Sequence, residues 1–473
     1  MRQLIPSLRG AALVLALVPV LAADLGVGAV RAADAAETLT LSIADSRALA
    51  VQSLQDGKPG LTAALARGLL QRDPGDIDAL MLLGWAEVAL QHPDQARTAA
   101  VRAFALAKGN PRLRFAAARL AAKSAYEAGQ LTRAGFWLRR ASDAASSPEE
   151  QAEAVAGYRN ITAQNRWANR FSFALAPSSN INGGSQDQRL TIDGQPTGAL
   201  LSPDALALSG LEATLDVSTS YRIASGPQHL TSLGLRAFGA TYALSDAARR
   251  LTEATGTKGS DFAFGALEVS LRQQRQAAGN GQWNYGLTAG KTWYGGSPMS
   301  RYGRLDLARS FALGAAAQAQ VSGALEQGYS ERDDSRTLLA SLQGQVVRRL
   351  AGGGTLALVL GVSGTDSTSR RAEYRSINAA VSYALGQPVG PAEVTLGLAA
   401  AARHYPQTFT GSLFGDGPRQ DNRLTATVEM VLPQAAVMGF APSITFSAGH
   451  NWSNVSRFEQ QDIGVAFGLK STF

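Results

Sequence analysis

An N-terminal helical-repeat domain followed by a transmembrane antiparallel β-barrel of about fourteen strands is the α + β fold class this chain predicts. Three observations carry that expectation. From Arg170 to Phe473, apolar residues occupy every second position in short runs broken by Gly, Asp, Ser or Pro. Between Leu41 and Arg159 they recur instead at three and four, among Ala, Leu, Arg and Gln. The first residues read as a secretory leader. Period two sends alternate side chains to opposite faces of a sheet, whereas spacings of three and four mark one face of a helix.

Composition narrows the class. The chain has 473 residues, enough for two domains, and 49 glycines, which suit bent strands and tight turns. Mean hydropathy is -0.05. That excludes a helical membrane protein but not a barrel, whose lumen face is polar. The net charge of +7 comes without basic runs interleaved with aromatics, so solvated surface and lumen arginines are expected and no nucleic-acid partner. Cys is 0, which excludes disulfides, a cysteine zinc site, a cysteine nucleophile and a lipidated N-terminal cysteine.

The leader comprises Arg2 and Arg9 followed by an apolar stretch from Ala11 to Ala23, ended by Asp24. Cleavage sites are offered after Ala22 or Ala23, or around Ala32–Ala33. The expected domains are a signal peptide over 1–32, a periplasmic helical domain over 33–165 and an outer-membrane barrel over 166–473. A leader ahead of a barrel places the protein in a Gram-negative envelope.

In the helical third, Asp73–Pro74, Asn110–Pro111 and Ser147–Pro148 are breaks at nearly even intervals. Between them lie helix pairs, the first with Leu80, Leu83 and Gly84, then Ala96, Ala100 and Ala103. The second has Ala118, Ala122, Tyr126 and Gly129, then Ala134, Leu138 and Ala141. This pattern looks like tetratricopeptide repeats, whose period is about 34 residues. Leu61 to Asp73 reads as the second helix of a degenerate earlier unit, and Pro148 to Ile161 as a capping helix. Such arrays present a groove for extended or helical peptides.

In the barrel, Leu211, Ala213, Leu215 and Val217 oppose Glu212, Thr214, Asp216 and Ser218, a lipid face against a water face. The alternation recurs at Leu356–Val362, Ile377–Leu385, Leu424–Leu432 and Ile463–Leu469. Aromatics at run ends, including Trp283, Tyr285, Trp293, Tyr302, Tyr329, Tyr405 and Trp452, suggest interfacial girdles. Asp216, Glu429, Arg222, Arg236, Arg304, Arg375, Arg403 and Arg423 are candidates for the lumen, as selectivity charges or as paired struts.

The junction reads Arg170-Phe-Ser-Phe-Ala-Leu-Ala-Pro-Ser-Ser-Asn-Ile-Asn182. A first strand ending in Pro177, Ser178, Ser179, Asn180, Ile181 and Asn182, directly after tetratricopeptide-like helices, resembles the surface lipoprotein assembly modifier (Slam) family of type XI secretion. The resemblance implies a translocator that carries a specific partner, a surface lipoprotein or a soluble secreted protein, from periplasm to cell surface. It makes Pro177–Asn182 a partner-binding or gating motif. Phe473 is expected to be the terminus read by the barrel-assembly machinery. Pro177 lacks an N–H, and Ser178, Ser179, Asn180 and Asn182 form turns. Gly183 to Leu208 reads either as a plug or gate or as a loose extracellular loop. A porin or a polysaccharide-export barrel is the alternative function.

No enzyme, cofactor or metal is expected. The 4 histidines, His92, His229, His404 and His450, share no ligand spacing. His450 beside Trp452 fits an interfacial ring better than a catalytic one. Gly352–Gly354 lacks the Lys–Ser/Thr of a phosphate loop.

Overall fold

The computed structural model describes residues 41–277, 281–409 and 416–471. The expected signal peptide and Phe473 lie outside them. Seven helices come first: α1 (Ile43–Gln55), α2 (Pro59–Arg72), α3 (Ile77–Ala89), α4 (Pro93–Leu106), α5 (Pro111–Glu127), α6 (Leu131–Ala144) and α7 (Pro148–Gln164). Two of the sequence breaks are helix starts. Asn110 and Ser147 are N-caps whose side chains accept from Leu113 N and Glu150 N, each with proline at the first helical position. The early unit is more complete than its sequence suggests, because α1 pairs with α2.

Small residues draw these helices together. A Cβ on Gly84 would lie 2.6 Å from Leu120 Cδ2 and 3.5 Å from Ala96 O. Leu120, Ala96, Ala100, Ala103, Ala118 and Ala134 are all fully buried. Glu87 and Asp76 are the buried carboxylates among the described residues of this domain, and Glu87 is the deeper. It is paired with Arg67 and lies 2.9 Å from His92 Nδ1. Asp76 caps α3 at Ala79 N and binds Arg47 at 2.6 Å. Burial alone would raise the Asp76 carboxyl, but the Arg47 and Ala79 hydrogen bonds outweigh it and hold the group below its usual range.

The strands are β1 (Trp167–Ser178), β2 (Arg189–Ile192), β3 (Gln195–Leu200), β4 (Gly210–Gly226), β5 (His229–Leu244), β6 (Phe264–Ala277), β7 (Gly281–Tyr294) and β8 (Ser297–Ala312). They continue with β9 (Ala317–Ser330), β10 (Arg336–Arg349), β11 (Thr355–Ser367), β12 (Tyr374–Ala384), β13 (Glu393–Phe409), β14 (Asp416–Val431), β15 (Phe440–Ser453) and β16 (Gln460–Ser471). A short helix, α8 (Asp246–Leu251), follows β5. Strands β1 and β4 to β16 form a closed antiparallel barrel, and β2–β3 is a separate hairpin. The barrel therefore has the fourteen strands the alternation implies.

Its outer wall is apolar. Phe171, Leu215, Leu235, Leu305, Leu360 and Ile377 are all exposed there. The inner wall carries the charges as ion pairs. Arg236 binds Asp216 at 2.7 Å and Glu268 at 3.4 Å, Arg423 binds Asp462 at 2.6 Å, and Lys470 binds Glu429 at 2.5 Å. Tyr302, read as a girdle residue, instead points inward and donates to Glu268 at 2.5 Å. It crosses Gly290 to do so: Gly290 pairs with both Glu268 and Tyr302, and a Cβ there would lie 2.4 Å from the Tyr302 ring. Tyr405 also faces inward, accepting from Arg403 at 3.1 Å. Trp452 faces outward against His450, with ring centroids 4.3 Å apart.

Gly290→Val forces the Tyr302 ring aside, an overpacking cost of about 1–3 kcal/mol. Its thermal unfolding in detergent falls below that of wild type, whereas Gly303→Ala, with no atom within 4 Å of the new Cβ, leaves it unchanged. Because the Asp76 pKa is lowered on folding, its contribution is present above about pH 3.9 and is lost as pH falls through the folded value. Helix melting followed by circular dichroism is therefore acid-sensitive there, and Asp76→Asn flattens that dependence.

Candidate functional site

The register sets the orientation of the barrel. The chain enters β1 from α7, so the turns after β4, β8, β10, β12 and β14 lie at the helical end. The turns after β1, β5, β9, β11 and β15 lie at the far end.

The weakest join in the wall is β1 against β16. Only Ala174–Gly468, Leu175–Phe467 and Ser178–Gly464 pair there. By contrast, β12 and β13 pair without interruption from Arg375–His404 to Ala384–Thr395. One cause is Pro177. The register places it opposite Val465, where a residue of the same parity as Ser179 would donate its N–H to β16, and proline has none. At the far end, Ser179 restores the join. Its N–H donates to Ile463 O at 3.2 Å, and its Oγ accepts from Ile463 N at 3.0 Å.

The rest of the junction motif folds a strap over this join. Asn180 Nδ2 donates to Gly184 O at 2.9 Å while Gly184 N donates to Asn180 Oδ1 at 2.8 Å. Asn182 Nδ2 donates to Asp204 O and Leu206 O, and its Oδ1 accepts from Leu208 N at 3.0 Å. The two amides thus close both ends of the 183–208 segment. A Cβ on Gly184 would lie 2.1 Å from Leu206 O, so only glycine fits there. Ile181 is buried with Leu208, Leu244 and Ala248.

The segment then reaches across to the β15–β16 connection. Ser185 Oγ donates to Ser456 O at 2.7 Å, and Ser456 Oγ donates to Arg189 O at 2.9 Å. Asp193 N donates to Asn454 O at 2.8 Å, and Gln460 Nε2 donates to Gly183 O at 2.5 Å. A loose loop is therefore not what this segment forms. Side-chain amides and hydroxyls satisfy its backbone, and it spans the join from one side to the other. Its first turn leans over the lumen, where Asn180 and Gly183 share a cavity of about 290 Å³ with Glu212, Arg423 and Asp462.

The other candidates divide. Asp216, Glu429, Arg236, Arg304, Arg403 and Arg423 face the lumen, several as paired struts. Arg222 sits at the helical end and donates to Ala163 O at 2.9 Å. Arg375 is a correction: it shares the outward parity of Ile377 and is exposed on the outer wall.

The helical domain is pinned to the barrel mouth at two points. Arg139 donates to Met438 O at 3.0 Å and Ser471 Oγ at 3.2 Å, its guanidinium lying 4.7 Å from the Phe440 ring centroid. On the other side Arg222 of β4 donates from Nη1 to Ala163 O of α7 at 2.9 Å and from its backbone N to Arg166 O. Between helices and rim lies a groove of about 1020 Å³. Arg97, Arg133 and Arg166 line it together with Phe136, Trp137 and Trp167, and no carboxylate does. Neither the Arg139 anchor nor this groove carries a signal in the sequence, since both depend on how the domains meet. Among the described residues no group of three His, Asp or Glu could hold a metal ion.

No protein-family model and no curated protein matches the chain. Among solved structures, it is similar to PcrH from Pseudomonas aeruginosa over 27% of this chain and 98% of that one (22% identity, TM-score 0.24). It is similar to the anion-selective porin from Comamonas acidovorans over 65% of this chain and 100% of that one (9% identity, TM-score 0.35). It is also similar to a bacterial polysaccharide outer membrane secretin over 64% and 98% (9% identity, TM-score 0.31). The fold defines a class: a closed antiparallel β-barrel of fourteen strands carrying an N-terminal helical-repeat domain of seven helices.

Replacing both Asn180 and Asn182 with Ala frees the strap. Amide hydrogen exchange in lipid nanodiscs then rises at Ile463 and its β16 neighbours, while β12 amides stay protected. Equal exchange in variant and wild type would show that the strap does not hold the join.

Proposed function

We propose that this chain is an outer-membrane translocator of the Slam type, exporting a specific partner protein from periplasm to cell surface. The observation that carries the reading is the groove held at the barrel mouth by the pinned helical domain. A segment lying there is already at the entrance. Its aromatic side chains offer an anchor, and three arginines without a lining carboxylate favour an acidic segment.

The route outward is the lumen or the β1–β16 join, where separating the strands breaks the fewest backbone bonds. Pro177 weakens that join and Ser179 to Asn182 latch it, which gives the motif a gating role. No catalytic step is involved. The partners are outer-membrane lipid, the exported protein, and the barrel-assembly machinery acting on the C-terminus. A porin or polysaccharide-export barrel is the competing reading; the paired charges of the inner wall leave few free for an ion-selective ring.

Co-expression with the protein encoded beside it, followed by protease accessibility on intact cells, tests the reading. The double variant Phe136→Ala/Arg133→Gln lowers surface arrival by at least about tenfold, the scale of losing an anchor and a charge contact, while barrel assembly is unchanged. Cargo that reaches the surface equally well without the barrel would end the proposal.

A further inference from the structure

The outer wall is not a uniform apolar belt. Across β8 to β14 it is indented, with a concavity of about 1090 Å³ between two rows of outward side chains. Its floor is made by small residues on β9, β10, β11 and β13, Gly323, Ala340, Gly364 and Ala402, all with outward parity. A Cβ on Gly364 would lie 3.6 Å from Arg375 Cγ, and one on Gly323 3.9 Å from Leu342 Cδ1, so these glycines share the face of those side chains. The sides are Leu305, Leu307, Leu325, Leu342, Val362 and Ile377.

One end of the trough is polar. Arg375, His404 and Gln420 stand side by side on β12, β13 and β14, in direct register and facing outward. Arg375 is the second residue of β12, at the end away from the helices. Among the described residues it has no hydrogen-bond, carboxylate or aromatic partner, unlike Arg236, Arg304 and Arg423 of the inner wall. An unpaired guanidinium on a lipid-facing wall requires an anion from outside the chain. Barrel strands are tilted by about 35–45°, so a trough running across them climbs obliquely from the apolar middle of the wall to this polar rim.

We propose that the trough is a lipid site, holding an acyl chain along Leu305 to Ile377 and a phosphate headgroup at Arg375 and His404. The class is an acyl lipid with a phosphorylated headgroup in the leaflet at the strap end. The occupant is matched in both parts, chain to apolar trough and phosphate to guanidinium. The site lies outside the groove and the join, so its test does not depend on export.

The full chain in detergent, analysed by native mass spectrometry, provides that test. Dioleoylphosphatidylglycerol is expected to remain bound, while dioleoylglycerol and inorganic phosphate bind at least about tenfold more weakly, as expected for losing a charge-assisted contact or the chain. Arg375→Gln removes the headgroup preference, and Ala340→Leu, which fills the floor on a lipid-facing position, weakens the phospholipid itself. Equal binding of phospholipid and diacylglycerol, or a preference unchanged in Arg375→Gln, would overturn the site; binding of phosphate alone would reduce it to an anion contact.

Discussion

Closure of the hydrogen-bonded wall is the constraint on which the rest of this structure depends. In hydrocarbon there is no water to satisfy a strand edge, so every backbone N–H and C=O must find a partner within the sheet. Thirteen of the joins between neighbouring strands follow chain order, most of them through hairpins or short connections and that of β1 to β4 through the strap. The fourteenth brings together the two ends of the sheet, β1 and β16, and relies on long-range register alone. It also carries Pro177 between its few paired positions. A structure whose only need was durable closure has no use for Pro177 there, since any residue with an N–H would extend the ladder.

The strap offsets that weakness by different chemistry. Ladder bonds are backbone to backbone and rigid in register. The bonds at Ser179, Asn180, Asn182 and Ser456 run from side chains to backbone, so they can be released without unpairing a strand. Beside the two amides that close the segment 183–208, Ser179, Gly183 and Ser185 tie it across the join. Opening the wall and moving the strap are therefore one event in this geometry. The inner-wall ion pairs brace either flank of the join: Arg236 bridges β5 to β4 and β6, while Arg423–Asp462 and Lys470–Glu429 hold β16 to β14.

Much of the fold was legible because alternation is a local property. Leu211 to Ser218 announced its two faces without any neighbour, and the count of strands followed from repeating that reading. Helix starts at Asn110–Pro111 and Ser147–Pro148 were legible for the same reason. Helix α1 was not, because its few buried positions, Ala50 and Ser53, give no apolar stripe. Arg375 shows where a chemical rule displaced the geometric one. Its parity with Ile377 placed it on the outer wall, but the expectation that charges face water put it in the lumen. Tyr302 went wrong in the opposite sense, since an aromatic near a strand end suggests a girdle until the empty seat at Gly290 and the carboxylate beyond it are known. The motif at 177–182 was recognisable as turn chemistry, but Ser179 bonds Ile463, and the strap that follows bonds Ser456 and Gln460, 271 to 284 residues away, to which no local pattern points.

The pinning of the helices bears on how the two ends of the molecule communicate. Arg139 holds Met438 and Ser471, which belong to the β14–β15 turn and the last residues of β16, while Arg222 ties the same helical body to β4, and α7 runs directly into β1. The helical domain therefore grips both sides of the weakest join at its near end, just as the strap grips both sides at its far end. A displacement of α6 or α7, such as a segment wedged into the groove beside Phe136 and Trp167 would cause, acts directly on the strands whose separation breaks the fewest bonds. In the proposed translocator, two clamps on one join, one of them beside the groove, would couple occupancy at the mouth to opening of the wall without any change in the other twelve strands.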